Sequence, residues 1–160
     1  MGQVFTTTGI EVQNSVGSTV VDTSGVNSFL NFAGTALTYG GTQSIINTEA
    51  DITSTTGTIV VSRQTQFLFL INVDSTLVYS TTNGANTVYF NLNGTNQTPF
   101  GRMGATHAQA HNTTLEASIA FYNIQTLAAG THTVKLRLAN NNASGATVEA
   151  AQLVYLSLGI

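Results

Sequence analysis

Two stretches of this sequence would be apolar on both sides if extended, and few folds can accommodate that. In QFLFLINV, residues 66–73, Phe67, Phe69, Ile71 and Val73 fall on one side and Leu68 and Leu70 on the other, because side chains alternate across a strand. In ATVEAAQLVYLSLGI, residues 146–160, Val148, Ala150, Val154, Leu156, Leu158 and Ile160 oppose Ala151, Leu153 and Tyr155. An antiparallel sandwich strand ordinarily shows water one polar face. A second apolar face needs a second covering, either the chain's own N-terminal segment or another subunit. Left wet, it forfeits about 25 cal/mol per Å² of apolar surface. Self-association is the favoured covering, since symmetric homo-oligomers are common and a surface poor in charge permits them. Leu68, Leu70, Leu153 and Tyr155 are the residues this expectation places at a subunit contact.

Elsewhere the alternation is simpler. In VKLRL, residues 134–138, the apolar side chains face one way and Lys135 and Arg137 the other. Along residues 114–124, Leu115, Ala117, Ile119 and Phe121 oppose Glu116, Ser118, Ala120 and Tyr122. Val88, Phe90 and Leu92 point inward from a strand flanked by Asn83-Gly84 and Asn93-Gly94, dipeptides that accept the positive φ of type I′ turns. Helical periodicity is nearly absent. Short strands with closely spaced turns predict an all-β antiparallel sandwich of the jelly-roll kind. The opening segment, including IEVQNSVGSTVVDTSGV at 10–26, reads as short strands and turns with too few apolar residues for a core of its own. The expected division is an extended N-terminal β arm over 1–42 and a jelly roll over 43–160.

From residue 45 onward the pattern resembles the trimeric jelly-roll heads of the tumour necrosis factor and complement globular-head superfamily. ASIAFYNIQTLAAGTHTVKLR at 117–137 looks like that family's strand, L-x-x-G corner and following strand, and AAQLVYLSL at 150–158 looks like its last strand. The leading segment is similar to shaft pieces of bacteriophage fibre and head-decoration proteins. The resemblance implies a threefold assembly with aromatic faces near the axis, for which Phe121, Tyr122 and Tyr155 are the candidates. Calcium ligands known in some such heads have no counterpart acidic cluster here.

Composition limits the chemistry. Only 7% of residues are Asp, Glu, Lys or Arg, against about 25% in an average soluble domain. The four cations, Arg63, Arg102, Lys135 and Arg137, are too few for a nucleic-acid footprint. No cysteine is present, which excludes disulfides, thiolate zinc sites and a cysteine nucleophile. No apolar run approaches the ~20 residues that span a bilayer. The start, MGQVFTTTG, lacks the basic and apolar regions of a secretory signal. Although Met1-Gly2 and Thr6 match a myristoylation pattern, one acyl chain without a basic patch anchors poorly.

His107 and His111 have the spacing that joins two imidazoles on a helix, but about 13 Å separates them on a strand. They are read as solvated or hydrogen-bonded, and His132 as pointing outward beside Lys135. Nucleophile elbows, Walker lysines and dinucleotide fingerprints are missing. Glu49 and Asp51 are read as solvating an edge or loop, and the Thr-rich residues 53–58 as surface strand.

These readings lead to an expected role without catalysis, cofactor or metal. The chain is expected to be a homotrimeric virion protein that decorates or cements a bacteriophage capsid. Its partners are then copies of itself and the major capsid protein or another virion protein, not nucleic acid or membrane. The alternatives are a fibre or receptor-binding head, contacting host glycan or surface protein through loops near 93–111 and 140–145, or a bacterial surface binding module.

Overall fold

The structure, a computed structural model, describes residues 2–6, 9–13, 19–21, 35–79, 84–105, 113–141 and 145–159. The chain divides into two units, Met1–Ala33 and Gly34–Ile160. In the first, β1 (Gly2–Thr6) pairs antiparallel with β2 (Gly9–Gln13), which pairs with β3 (Thr19–Val21). The strand Thr35–Ile45 runs across residue 42 and belongs wholly to the second unit.

That unit is built from β4 (Thr35–Ile45), β5 (Glu49–Asp51), β6 (Gly57–Val61), β7 (Thr65–Tyr79), β8 (Gly84–Leu92), β9 (Thr95–Asn96), β10 (Gly101–Ala105), β11 (Thr113–Leu127), β12 (Gly130–Asn140) and β13 (Ala146–Gly159). One sheet has the order β11-β7-β13-β4, and the other β10-β8-β12-β5, with β6 also on β12 and β9 on β8. The two short strands β5 and β6 lie along one edge of β12 and act as one interrupted strand. Thr55 splices the gap between them. Its buried hydroxyl donates to Ile52 O at 2.7 Å and accepts from Leu136 N at 3.2 Å, while Ile52 N donates to Leu136 O. Counted this way, and leaving aside the β9 hairpin, the strands follow the order of a jelly roll, with chain-distant strands as sheet neighbours. Thr55 is therefore an interior residue, whereas the Thr-rich segment 53–58 was expected to lie wholly on the surface; its hydroxyl occupies a hydrogen-bond position that a ladder partner would otherwise fill.

The core lies between the sheets. Val134, Leu136 and Leu138 of β12 and Val88 and Phe90 of β8 meet Phe69, Ile71, Val73 and Leu77 of β7, as the alternation predicts. Phe69 and Phe90 sit with ring centroids 4.3 Å apart. The last strand departs from simple alternation. Val148 is buried, and so are Ala151 and Leu153, because a β-bulge shifts the register between Val148 and Ala150. One extra residue reverses which side of the sheet later side chains face. Val148 thus joins the core rather than the face of Val154 and Leu156, where uninterrupted alternation would put it.

The sheets come close where β10 meets β11. A Cβ on buried Gly101 would collide with Ile119 Cγ2 and lie 2.9 Å from Phe121 Cδ1. Gly101→Ala should accordingly cost about 1–3 kcal/mol, the usual range for overpacking. The test is the denaturant midpoint, expected to fall while far-ultraviolet circular dichroism keeps its β signature. An unchanged midpoint would mean that Ile119 and Phe121 yield without cost.

Candidate functional site

The face of the β11-β7-β13-β4 sheet turned away from the core is split into two chemically distinct halves. Ladder pairing aligns Ile124, Leu68 and Leu156 in one row, and Tyr122, Leu70, Val154 and Ala36 in the next. Leu158 follows on β13 in the register shift between Ser157 and Gly159, outside the ladder pairing. Tyr122 is 60% exposed, Ile124 48%, and Leu70 and Leu158 43% each, whereas Leu68, Val154 and Leu156 are half-buried. Farther along the strands the rows become Ala120, Asn72, Gln152 and Thr38, then Ser118, Asp74, Ala150 and Gly40. There the Ser118 hydroxyl donates to Asp74 Oδ1. The apolar half contains no ionisable group other than the Tyr122 phenol. It can bind a complementary apolar surface, and the Tyr122 phenol is its one group able to exchange a proton.

Three of the residues expected at a subunit contact, Leu68, Leu70 and Tyr122, occur together on this face. Phe121, Leu153 and Tyr155 point the other way. Leu153 is fully buried in the protomer and pairs with Ile71; Tyr155 pairs with Phe69, ring centroids 6.1 Å apart; Phe121 packs against the same core. Their inward direction follows from pairing: on a shared ladder Leu153 and Tyr155 must face the same side as Ile71 and Phe69. Sequence reasoning grouped Val154 and Leu156 on one side of the last strand without identifying it as the outward side, and it passed over Ile124. Their parity relative to Leu70 and Tyr122 was the available signal, and it required the cross-strand register.

The outer face of the other sheet holds charge. Lys135 Nζ lies 2.7 Å from Asp51 Oδ2, Arg137 Nε 2.9 Å from Asp51 Oδ1, and Arg137 Nη1 2.6 Å from Glu49 Oε1. Asn96 Nδ2 donates to the same Glu49 oxygen, and Asn91 Nδ2 donates to Asn96 Oδ1. The chain of contacts ties β5, β12, β8 and β9 together, so Glu49 and Asp51 are ion-pair partners and not merely solvated edge residues. Asn91 Oδ1 is buried without a hydrogen-bond partner. Nearby, the Tyr89 and half-exposed Phe100 rings stand 5.5 Å apart.

His132 shares the parity of Val134 rather than that of Lys135, and its ring contacts Asn93 and Ala128 O. The expectation that it points outward beside Lys135 misjudged that parity. His107, His111, Asn83 and the loop residues 142–144 lie outside the described residues. Among the described residues, no group of three His, Asp or Glu side chains is placed to hold a metal ion.

No family model matches the sequence, and no curated protein sequence does. Solved structures with a similar course of chain include Eiger TNF from S. frugiperda, at 10% identity and TM-score 0.43, covering 79% of this chain and 93% of that one. The infectious bursal disease virus Gx strain structure is similar at 10% identity and TM-score 0.41, over 79% of this chain and 32% of that one. A pentameric capsid protein isolated from metagenomic phage sequences is similar at 14% identity and TM-score 0.38, over 96% and 83%. The jelly-roll assignment here rests on the strand order of the chain itself.

The Lys135 hydrogen bond, joined by the charges of Lys135 and Arg137 and the Arg137 hydrogen bond, holds the Asp51 carboxyl below the ordinary carboxylate range against the opposing effect of burial. A depressed folded-state value means that the folded protein releases this proton more readily than the unfolded chain. The stabilisation is therefore complete above about pH 4 and disappears as the pH falls through the lowered value. Asp51 is partly exposed, so solvent screening keeps the effect small. Denaturant midpoints of the unsubstituted chain and of Asp51→Asn should differ at neutral pH and converge in acid. A gap independent of pH would remove Asp51 from this role.

Proposed function

We propose that this chain is a non-enzymatic structural protein of a bacteriophage virion, a homotrimer that decorates or cements the capsid surface. The observation that carries the reading is the outward apolar half-face of the β11-β7-β13-β4 sheet, with Tyr122, Leu70 and Ile124 exposed together. Each leaves roughly half its side chain in water, so covering it is worth on the order of 1 kcal/mol per side chain. A patch of this kind marks a protein contact rather than ordinary surface. A second copy suits it because the patch has no charge with which to select a charged partner. The threefold symmetry is the one the head resemblance implies, with Tyr122 and Leu70 against the axis. The residues before the sandwich, with their own small sheet, would meet the capsid, and the sandwich would project from it.

One observation favours the alternative of a fibre head that binds host glycan. The Tyr89–Phe100 pair stands beside amides and carboxylates on the opposite sheet, a combination that suits a sugar ring with its hydroxyls. On this reading a glycan array probed with the chain would give binding that Phe100→Ala abolishes, without affinity for capsids.

Light scattering in dilute buffer tests the assembly. The unsubstituted chain should elute as a trimer, and Leu70→Asp or Tyr122→Asp should raise the dissociation constant by at least about 100-fold, since each buries a charge in an apolar contact. Both variants should keep the β-sheet spectrum. A chain that is monomeric at micromolar concentration and ignores purified capsids overturns the proposal.

A further inference from the structure

Asn93 and Gly94 form the tip between β8 and β9, where Leu92 pairs with Thr95. Both have positive φ, 51° and 86°, the left-handed backbone of a two-residue hairpin turn. In an Asn-Gly dipeptide the glycine nitrogen carries no Cβ beside it, so it can approach the preceding side-chain amide without steric hindrance. Asn93 is nevertheless tied down through its backbone N–H and both polar atoms of its side chain. Its backbone N–H donates to Thr133 O at 2.9 Å, and its Oδ1 accepts from Thr133 N at 2.9 Å. Its Nδ2 lies 3.0 Å from His132 Nδ1, and His132 Nε2 lies 2.9 Å from Ala128 O.

These bonds specify one another. The Thr133 N–H requires an oxygen, which fixes the amide orientation and leaves Nδ2 facing the imidazole. An amide nitrogen only donates, so His132 Nδ1 must accept, and the ring proton sits on Nε2, where the Ala128 carbonyl receives it. The side-chain carbonyl and the side-chain nitrogen are thus both engaged by β12. The amide cannot turn toward the Gly94 nitrogen without losing both contacts.

We propose that Asn93 is a deamidation site kept closed by His132 and Thr133, a property beyond the assembly role. When the turn opens, the Gly94 nitrogen attacks Asn93 Cγ, and a new C–N bond forms as the Cγ–Nδ2 bond breaks. Ammonia departs with the proton released by the Gly94 nitrogen. Water then opens the cyclic imide at either carbonyl, leaving aspartate or isoaspartate, so water is the only co-reactant. The product places a new negative charge on a surface with few charges, and it removes the donor that His132 Nδ1 accepts.

The full chain, incubated at neutral pH and digested for peptide mass mapping, reports this directly, with the Asn83-Gly84 dipeptide as reference in the same digest. In native buffer Asn93 should deamidate at least about tenfold more slowly than in denaturant, since two ordinary hydrogen bonds must open first. His132→Ala should raise the native rate about fivefold, the effect of losing one such bond. His132→Gln, which restores an acceptor, should raise it less, and the Asn83 rate should not follow either change. Equal native and denatured rates in the unsubstituted chain overturn the proposal, as does a folded His132→Ala with the original rate. Should His132→Ala fail to fold, the native-to-denatured ratio of the unsubstituted chain decides the matter by the criterion already given.

Discussion

β7 is hydrogen-bonded to β11 on one side and β13 on the other, and these two ladders set which way the paired apolar side chains of all three strands face. Because pairing aligns side chains of like direction, Phe69 in the core commits Tyr155 and Asn123 to face inward with it, and Leu70 commits Tyr122 and Val154 to face outward. A slip of one residue would exchange the two sets. The core and the exposed patch are therefore two consequences of one register, and burial of Phe69, Ile71 and Val73 holds the outward residues in place.

Much of the sandwich was legible in the sequence. The alternation of 134–138 and 87–92, and the turn at Asn93-Gly94, correctly placed these core strands and the hairpin tip. The faces of β7 and β13 were harder. When both parities are apolar, alternation separates two sets without saying which is inside; only pairing with Phe69 and Ile71 turned Tyr155 and Leu153 inward. The bulge after Val148 is carried by no Gly or Pro, so nothing local marked it. The first strand, Gly2–Thr6, went unread, because GQVFT has neither a turn before it nor a clear alternation.

The scarcity of charge has a structural counterpart. Glu49, Asp51, Lys135 and Arg137 are gathered into one cluster across the broken strand, and neutral amides do comparable work elsewhere. Asn86, fully buried, donates toward Ser75 Oγ and Thr76 O and accepts from Asn140 Nδ2 at 2.9 Å, while Asn140 Oδ1 receives Asn47 N. Amides combine donor and acceptor without the desolvation penalty of ions. They can therefore bridge the loops at this end of the sandwich from within. A surface left this neutral has little electrostatic repulsion to keep copies apart.

β13 has two register shifts against β7, and the first, between Val148 and Ala150, divides the part of the strand up to Ser157 into two independent phases. Residues ahead of Glu149 answer to the interior on one parity, and those after it on the opposite one. The outward leucine and valine positions can therefore change in size or polarity to suit a neighbouring molecule while the closing segment at Val148 stays under the constraints of the interior. The residue inserted at the first shift separates the part of the strand that closes the sandwich from the part free to adapt its outer contacts.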